Sequence, residues 1–517
     1  MRVADYLDIA ADRYPNAEAL VFGPVRMTYA QARAQVHTIA HAFKAEPALS
    51  DSAHIAVYSG NDHRVSLIQW GANRADLTWL GVHMRNATAT NIEVLGYLDC
   101  EAIFFSSAYE ADVPALKAGL PDVKLWVCID RDSPHGIHLD AWMAGHEGEF
   151  PYRRCDADGI ACMIPSGGTT GPAKGAVHQH GSVEMEIVNL TMSMGFGVDS
   201  RLLTVAPLSH AAGQIALALI PFGATNVILA DFEPDAFLRK CSEERITHLF
   251  LPPTILYSLL ISPLAKTLDL SSFKCIFVGA APVAPEKFKE AVRLFGPVVY
   301  EGYAQTETLI PVLVKSPSDY LLPDGSFDED VLRSSGRPPA FVRVGIMDDD
   351  GVLVPAGQAG EIVVRASMGM TCYYKLPDAT AEASLHGWHH TGDVGVMDAR
   401  GYVTLIDRKK DMIISGGFNV YPNEIEAVLN THPAVLECIV IGVPDDKWGE
   451  AVKGIVRLKP GATASDAELI GLCRERLGSI KTPKTVEFWP DLPRSAVGKL
   501  LRREARQKFW AGQWRSI

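Results

Sequence analysis

A run of glycine and hydroxyl residues follows an apolar segment in the first third of the chain. It reads Ser166-Gly167-Gly168-Thr169-Thr170-Gly171-Pro172-Ala173-Lys174-Gly175 and comes directly after GIACMIP. Glycines leave backbone N–H groups accessible, hydroxyls donate hydrogen bonds, and one lysine supplies positive charge, so these residues could hold a polyphosphate. The run is not a Walker loop, because no Gly-Lys-Ser/Thr occurs at the required spacing. It predicts a phosphate-binding loop, with a flexible surface loop as the alternative.

The elements around this loop indicate an α/β fold. From the start to about residue 300, short apolar runs such as IAVYS, LLTVAP and KCIFVGAA alternate with segments of helical period such as PEKFKEAVRLFG. That alternation predicts βαβ units and largely parallel sheets. Thr28 followed by Gln31 predicts a capping box at the start of a helix. The apolar stretch 211–230 resembles a membrane span, but Pro221 and Gly223 divide it into helix, turn and strand, so no integral membrane association is expected.

The pattern changes in the last third of the chain. The segments RVGIMDDDGVLV, GEIVVRA and GYVTLI predict a small β-rich subdomain at about 335–405. A charged junction, DRKKD at 407–411, precedes about a hundred residues whose pattern predicts helix, strand, strand, helix and strand. We therefore expect a large N-terminal domain at 1–408 and a small α+β domain at 409–517.

Composition narrows the class of protein. The chain has 517 residues and 48% hydrophobic content, which predicts two or more packed domains. With 48 Lys plus Arg against 61 Asp plus Glu, a formal net charge of −13 and no basic run, nucleic acid is not an expected partner. Nine cysteines without a C-x-x-C pair fit neither a disulfide framework nor a zinc site, and the N-terminus lacks the apolar core of a signal peptide. The expected compartment is a reducing cytoplasm.

Seven segments in order resemble the motifs of the adenylate-forming superfamily, which includes acyl-CoA synthetases, aryl-acid ligases, peptide-synthetase adenylation domains and luciferases. They are SGGTTGPAKG, PLSHAAG, VGAAP, YEGYAQTET, GWHHTGD, DRKKDMIISGGFNVYPNEIE and PRSAVGKLLRRE, and they span nearly the whole chain. The resemblance implies an ATP-dependent acid–thiol ligase, which forms an acyl-adenylate and passes the acyl group to a thiol, that of coenzyme A. Gly167, Ala173 and Ala304 depart from the family's usual residues.

The resemblance also implies a nucleotide site. Tyr303 corresponds to the aromatic residue that stacks on adenine, and Asp393 to the acid that accepts both ribose hydroxyls, as an ionised carboxylate can. Glu307 corresponds to the carboxylate that binds Mg²⁺, a cation that prefers oxygen ligands. The implied ATP or AMP contacts are Ser166, Gly168, Thr169, Thr170, Gly171, Lys174, Ala280, Ala281, Glu301, Gly302, Tyr303, Thr306, Asp393, Arg408 and Lys499.

The first step brings two anions together, a carboxylate and the α-phosphate. A preorganised cation stabilises the charge that develops, and such groups contribute roughly 3 to 4 kcal/mol. Lys499 corresponds to that cation. The predicted catalytic set is Lys499, Thr306, Glu307 and His210; no general base is required, because the carboxylate itself is the nucleophile.

Transfer to the thiol implies a second set of residues. In the family the C-terminal domain rotates between the two steps, and Lys410 occupies the hinge position. The implied coenzyme A contacts are Arg85, Gly416, Gly417, Trp448, Lys481 and Lys484. Plain surface charge is the alternative for the arginine and the two lysines.

The expected acid pocket is apolar and built mostly from small residues. Its predicted members are His210, Ala211, Ala212, Gly213, Gly279, Ala304, Leu309 and Ile310. No acidic residue is available to pair with an ammonium group, and no Arg or Lys to pair with a second carboxylate, so amino acids and malonate-like acids are disfavoured. Fatty, aryl and alicyclic acids stay open.

Three alternatives remain at this stage. The acyl group could go to the phosphopantetheine of a carrier protein; a luciferase-like oxygenase could use the same scaffold; or the chain could be a non-catalytic relic. The intact set Lys174, Glu307, Asp393, Arg408 and Lys499 argues against a relic. A homodimer is also left open.

Overall fold

A computed structural model describes residues 1–152, 158–166, 174–415, 418–445, 449–494 and 500–510. The strands are β1 Glu18–Phe22, β2 Val25–Thr28, β3 His54–Tyr58, β4 Thr78–Leu80, β5 Cys100–Phe105, β6 Leu125–Cys128, β7 Ile137–His138, β8 Ile160–Ser166, β9 Lys174–Gln179, β10 Arg201–Thr204, β11 Thr225–Ile228, β12 His248–Leu251, β13 Cys275–Val278, β14 Val299–Gln305, β15 Leu309–Lys315, β16 Val342–Met347, β17 Ala359–Ala366, β18 Cys372–Tyr373, β19 His389–Met397, β20 Val403–Arg408, β21 Ile413–Ser415, β22 Phe418–Val420, β23 Val435–Asp445, β24 Gly449–Leu458 and β25 Thr485–Phe488.

Helices alternate with the strands through the first three hundred residues, as the sequence predicts. They are α1 Asp5–Arg13, α2 Tyr29–Ala45, α3 His63–Arg74, α4 Thr88–Tyr97, α5 Val113–Gly119, α6 Leu139–Met143, α7 His180–Met194, α8 Ala211–Leu217, α9 Pro234–Glu243, α10 Pro253–Ile261, α11 Pro285–Phe295, α12 Pro317–Tyr320, α13 Glu329–Arg333, α14 Pro377–Ala383, α15 Pro422–Leu429, α16 Asp466–Leu477 and α17 Arg502–Trp510. Short 3-10 turns lie at Ser107–Asp112, Ile220–Phe222, Pro263–Lys266, Leu385–Gly387 and Lys409–Asp411.

Two eight-stranded sheets form the body of the large domain. The first has the order β15-β14-β13-β12-β10-β11-β1-β2 and the second β18-β9-β8-β4-β3-β5-β6-β7. The inner strands are parallel, and the antiparallel pairs lie toward the edges: β14 with β15 and β1 with β2 in the first sheet, β18 with β9 and β9 with β8 in the second. The predicted α/β class with parallel-rich sheets is confirmed.

The predicted local signals are also present. The Thr28 side chain accepts the Gln31 N–H and the Gln31 side chain accepts the Thr28 N–H, which is the capping box at the start of α2. The apolar stretch 211–230 divides into α8, a 3-10 turn and β11, because Gly223 adopts a positive φ of 65°. Among the described residues, no helix combines the length and apolarity that a membrane crossing requires.

The last third of the chain forms two smaller sheets. Strands β16-β17-β19-β20 make an antiparallel sheet between Val342 and Arg408, and β22-β21-β24-β23 make the C-terminal sheet, with β25 added in parallel to β24. Helices α15 and α16 pack on the C-terminal sheet around a separate apolar cluster that includes Ile425, Leu429 and Leu469. A separate core is what an independent domain requires, which supports the proposed division at residues 408 and 409.

Candidate active site

The site loops follow the carboxyl ends of parallel strands in both large sheets. His83 and Arg85 come after β4, Ser166 ends β8, and His210 comes after β10. Ala280 follows β13, and Thr306 and Glu307 follow β14. In open α/β sheets this edge is where ligands bind, because the loops there are free of the sheet's own hydrogen bonds.

The phosphate loop connects β8 to β9. Ser166 and Lys174 are directly paired across these antiparallel strands, so the loop leaves and re-enters the sheet at one point. The Lys174 ammonium lies 4.8 Å from the centroid of the Tyr373 ring. The predicted contacts Gly168, Thr169, Thr170 and Gly171 lie outside the described residues and stay predictions.

The turn between β14 and β15 carries Thr306 and Glu307. The buried His178 on β9 contacts the Thr306 carbonyl at 2.9 Å, and burial lowers the pKa of His178 to about 4, so its neutral Nε2–H donates this bond. The Tyr373 hydroxyl donates to Glu307 Oε1 at 2.7 Å, and the Met370 N–H donates to the Glu307 carbonyl at 2.7 Å. The predicted metal carboxylate is therefore held at both its side chain and its backbone.

Asp393 on β19 joins the turn to the third sheet. Its Oδ2 accepts the Tyr303 hydroxyl at 2.6 Å and the Gln305 amide at 2.8 Å. Arg408 is paired directly opposite Asp393 in the β19–β20 ladder, and its Nε lies 3.5 Å from Oδ1. We call Tyr303, Gln305, Glu307, Tyr373 and Asp393 the nucleotide wall.

The loop after β13 packs against β14. Ala280 and Ala281 are exposed, and Ala280 has a φ of 68°, a conformation that costs a non-glycine residue energy and is concentrated at functional sites. A Cβ on Gly302 would stand 2.1 Å from the Phe277 ring, so only glycine fits there. Glu301 differs from the others. Its carboxylate is buried against Lys315 at 2.7 Å, which leaves only its backbone for the predicted nucleotide contact.

His210 ends the segment before α8 and lies against a second histidine. The His210 and His83 rings are 4.8 Å apart, edge to face, and His210 Nδ1 lies 2.9 Å from Ser209 Oγ. Burial, followed by repulsion from His83, lowers the pKa of His210 to about 4, so it is neutral at pH 7. Arg85 is exposed, and its backbone N–H donates to His83 Nδ1 at 3.2 Å. Arg85, a predicted coenzyme A contact, is thus two residues along the chain from His83, whose ring contacts His210.

The predicted acid pocket lies between α8, α7 and the start of β15. Ala212 and Leu309 are buried, and a Cβ on Gly213 would stand 1.9 Å from the Leu208 carbonyl oxygen, so glycine is required for α8 to pack there. Ile310 is held from behind: its N–H donates to Glu186 at 3.1 Å. Glu186 is fully buried, and burial raises its pKa to about 8. The predicted pocket residue Ile310 is therefore hydrogen-bonded to a neutral carboxylic acid at pH 7.

The C-terminal residues are described only in part. Lys499, Gly416, Gly417 and Trp448 lie outside the described residues, and for the hinge residue Lys410 only the backbone is described. Lys481 forms an ion pair with Glu424 at 2.7 Å. This contact fits the alternative that the lysine is plain surface charge, and its coenzyme A role stays a prediction. The Lys484 N–H bonds to the Val452 carbonyl at 2.8 Å, so its backbone is part of the small sheet.

An ionic group lies around the predicted hinge residue, Lys410. Arg502 of α17 lies 3.2 Å from both Asp407 and Asp411 and 2.6 Å from Glu426, and it also contacts Asn423. We call these five residues the hinge cluster. Burial raises the pKa of Asp407 to about 6, although Arg502 opposes this shift.

Three side chains beside the predicted residues were not identified from the sequence. Gln305 shares a strand face with Tyr303, so the alternation of β14 could have indicated it. His83 precedes Arg85 by two residues, which is a weak signal. Tyr373 reaches Glu307 across 66 positions, and nothing in the local sequence indicates that contact.

The comparisons with known proteins agree with this geometry. Residues 7–374 match the AMP-binding enzyme family, and residues 424–499 match the AMP-binding enzyme C-terminal domain. The chain belongs to the AMP-binding enzymes. The predicted adenylate-forming superfamily and the predicted class, an AMP-forming acid–thiol ligase, are confirmed.

Individual relatives are similar over almost the whole chain. The medium/long-chain-fatty-acid–CoA ligase FadD8 of Mycobacterium tuberculosis (strain ATCC 25618 / H37Rv) is 32% identical over 98% of this chain and 90% of its own length. The feruloyl-CoA synthase of Amycolatopsis sp is 35% identical over 79% of this chain and 84% of its own. The structure of the amide bond synthetase McbA from Marinactinospora thermotolerans matches with a TM-score of 0.87 and 30% identity, covering 98% of this chain and 100% of that one.

Proposed function

We propose that this acid–thiol ligase activates an apolar carboxylic acid with ATP and Mg²⁺ and transfers the acyl group to coenzyme A. One observation carries the proposal: two runs of contacts, which start two residues apart at Gln305 and Glu307, join the cations and carboxylates that ATP would need. One passes from Glu307 to Tyr373 and Lys174, and the other from Gln305 to Asp393 and Arg408. These residues come from three sheets.

The residues at the turn fit a magnesium–phosphate group. Among the described residues, no three His, Cys, Asp or Glu side chains could enclose a metal, so phosphate oxygens and water would complete the shell around Glu307. Within the described part of the chain, the buried Nε2 atom of His389 has no hydrogen-bond partner. Burial lowers the pKa of this ring, and the nearby Glu307 carboxylate opposes that shift. When bound, Mg²⁺ would neutralise charge on the pyrophosphate leaving group.

In the first step a carboxylate oxygen of the acid attacks the α-phosphorus of ATP, and the bond to the bridging oxygen of pyrophosphate breaks. Asp393 and Arg408 hold the ribose, and Lys174 holds the outer phosphates. Lys499 contacts both reacting anions, so that neither has to lose its hydration without a compensating charge. The thiol of coenzyme A then attacks the acyl carbon, and AMP leaves with the electrons of the anhydride bond.

The second step uses the other side of the site. We propose that the domain at 409–517 rotates at Lys410, which removes Lys499 and brings the segment with Gly416 and Gly417 to the acyl group. His210, neutral because its pKa is about 4, borders the acyl carbon without attracting the acid's carboxylate strongly. Arg85 would meet the nucleotide phosphates of coenzyme A.

The acid is proposed to be apolar, either fatty, aryl or alicyclic. The pocket residues on α8 and β15 are small or aliphatic. FadD8 is named for medium and long-chain fatty acids and the Amycolatopsis relative for ferulate, so support exists for both a chain and a ring. The proposed compartment is the cytoplasm, supported by eight free cysteines in the described part of the chain. A homodimer remains a proposal without support from a described contact.

The test is a panel of carboxylic acids, with pyrophosphate and AMP measured separately. Fatty acids of several lengths, ferulate, benzoate and cyclohexanecarboxylate are each supplied with ATP and Mg²⁺, first without an acceptor and then with coenzyme A, a loaded carrier protein or an amine. We expect pyrophosphate release with one class of acid, and AMP release that rises only with coenzyme A. The amine is included because McbA is an amide bond synthetase. Pyrophosphate release that does not depend on any acid would refute the proposal.

A further inference from the structure

We infer that Tyr373 is a positioning residue of the ATP site, whose hydroxyl orients Glu307 and whose ring holds Lys174 beside the outer phosphates. The inference rests on the proposed function, since it assigns Glu307 to the metal and Lys174 to the phosphates. It adds a residue outside the seven motifs that the sequence analysis used.

The hydroxyl contact fixes one oxygen of Glu307 and leaves the other available. Tyr373 is 8% exposed, and its O–H donates to Glu307 Oε1 at 2.7 Å. A tyrosine side chain carries an O–H at neutral pH and a carboxylate only accepts, so the tyrosine is the donor in this contact. Among the described residues no donor is bonded to Glu307 Oε2. When one oxygen of a carboxylate is held by a hydrogen bond, the other oxygen points in a defined direction. Such orientation matters for Mg²⁺, which usually has only one or two carboxylate ligands from the protein.

The ring contact acts on the other partner. Lys174 Nζ lies 4.8 Å from the Tyr373 centroid, within the range of a cation–π interaction. Within the described ranges no carboxylate lies at ion-pair distance from Lys174, so its charge is available to an anionic ligand. An aromatic face attracts an ammonium group but leaves its positive charge uncompensated. A carboxylate at the same place would neutralise that charge.

The backbone explains why Tyr373 can reach both groups. Tyr373 is paired with Ala176 in the β18–β9 ladder, two residues after Lys174, and its N–H donates to Thr380 Oγ1 at 2.9 Å. The short strand β18 therefore attaches this tyrosine to the strand that leaves the phosphate loop. The hydroxyl extends from there to the β14–β15 turn, which belongs to the other large sheet.

The next residue provides a matched control. The Tyr374 hydroxyl also donates to a carboxylate, Asp99 Oδ2 at 2.7 Å, and a lysine, Lys375, lies 5.2 Å from its ring centroid. Neither partner belongs to the predicted site. Substituting Tyr374 removes the same kinds of contact from the same segment, and any general effect of losing them appears in that variant.

The experiment measures equilibrium binding of a non-hydrolysable ATP analogue and of AMP, each with and without Mg²⁺. Proteins are the full chain, Tyr373→Phe, Tyr373→Leu, Tyr374→Phe and Tyr374→Leu. We expect Tyr373→Phe to weaken Mg²⁺-dependent binding of the ATP analogue about threefold to tenfold, the range of the net contribution of one ordinary hydrogen bond. Tyr373→Leu, which also removes the ring, should weaken ATP binding about threefold further, including without Mg²⁺. AMP binding should not change, because AMP lacks the outer phosphates.

Two results would overturn the inference: equal losses for ATP and AMP, or losses no larger than those of the Tyr374 variants. If Tyr373→Leu does not fold, Tyr373→Phe carries the test, because it keeps the ring. Binding does not require an acid, so this outcome is separate from the acid panel. A chain that shows the expected binding pattern but activates no acid would refute the proposed function and leave the assignment of Tyr373 intact.

Discussion

The nucleotide wall and the hinge cluster both contain carboxylates, but they are held by different kinds of partner. In the wall, a tyrosine hydroxyl and a glutamine amide bond to Asp393, and a second tyrosine hydroxyl bonds to Glu307. In the hinge cluster, one arginine contacts three carboxylates, which leaves the group with excess negative charge. The wall depends on neutral donors in paired strands, and the cluster depends on a single cation.

This difference matches the two proposed duties of the molecule. The wall lies in the large domain and must keep one geometry through both half-reactions. The cluster spans the hinge, since Asp407 precedes Lys410, Asp411 follows it and Arg502 comes from the small domain. Rotation at the hinge would change the distances between Arg502 and Asp407 without altering the wall. Four variants test this separation.

The largest effect is expected for Lys499→Ala, at a residue that lies outside the described residues and belongs by sequence to neither region. Removing the cation that bridges the two anions should slow acyl-adenylate formation by roughly 10²-fold to 10³-fold. Thioester formation from supplied acyl-adenylate and coenzyme A should persist, because the lysine has then left the site. Pyrophosphate release and thioester production measure the two steps. Equal loss of both would contradict the rotation.

Arg502→Met should destabilise the small domain while leaving nucleotide binding unchanged. The Arg502 side chain is 17% exposed and Asp407 is fully buried, so removing the cation leaves carboxylates close together without a counter-charge. We expect a loss of about 2 to 3 kcal/mol in urea unfolding. The exposed Arg474→Met in the same domain is the control. An equal weakening of AMP binding would show that the wall depends on the cluster after all.

Glu186→Gln tests whether a neutral group supports the acid pocket next to the wall. The pKa of Glu186 is raised from 4.5 to about 8, so the folded protein binds a proton that the unfolded chain releases. The wild type should therefore lose stability as pH rises from about 4.5 to about 8. The glutamine variant keeps the acceptor for the Ile310 N–H and should lack this loss, so its stability relative to the wild type should increase between pH 4.5 and about pH 8.

Thermal unfolding at several pH values measures this effect, with the exposed Glu93→Gln as control. Parallel curves for the wild type and Glu186→Gln would mean that Glu186 is already ionised in the fold.

The smallest effect is expected for Tyr303→Phe. The variant keeps the ring that is proposed to stack on adenine and loses the 2.6 Å bond to Asp393, which retains its bond from Gln305. We expect the KM for ATP to rise about fivefold, equivalent to about 1 kcal/mol, with kcat little changed. A fall in kcat larger than the rise in KM would show that the hydroxyl acts in the transition state.

The sequence predicted those parts of the site whose chemistry is local. The capping box at Thr28 is confirmed and depends on two residues close in the chain, whereas the glycine-rich loop lies mostly outside the described residues and stays a prediction. Glu301 was predicted with its motif, yet its carboxylate turns to Lys315 on the neighbouring strand. A motif gives the position of a residue in the chain. It does not show whether the side chain of that residue faces the site or the interior of the protein.

By itself, the sequence determined the strand and helix pattern, the order of the motifs and the residue types that are proposed to bind phosphate, ribose and metal. These follow from periodicity and from side-chain chemistry, which do not require a three-dimensional arrangement. Only the tertiary structure decided that residues on or next to β14, β18 and β19, which belong to three sheets, come into contact. It also decided that Tyr373 lies between Lys174 and Glu307, and that His83 lies against His210. Contacts between residues far apart in the chain depend on how whole sheets pack, and no short segment contains that information.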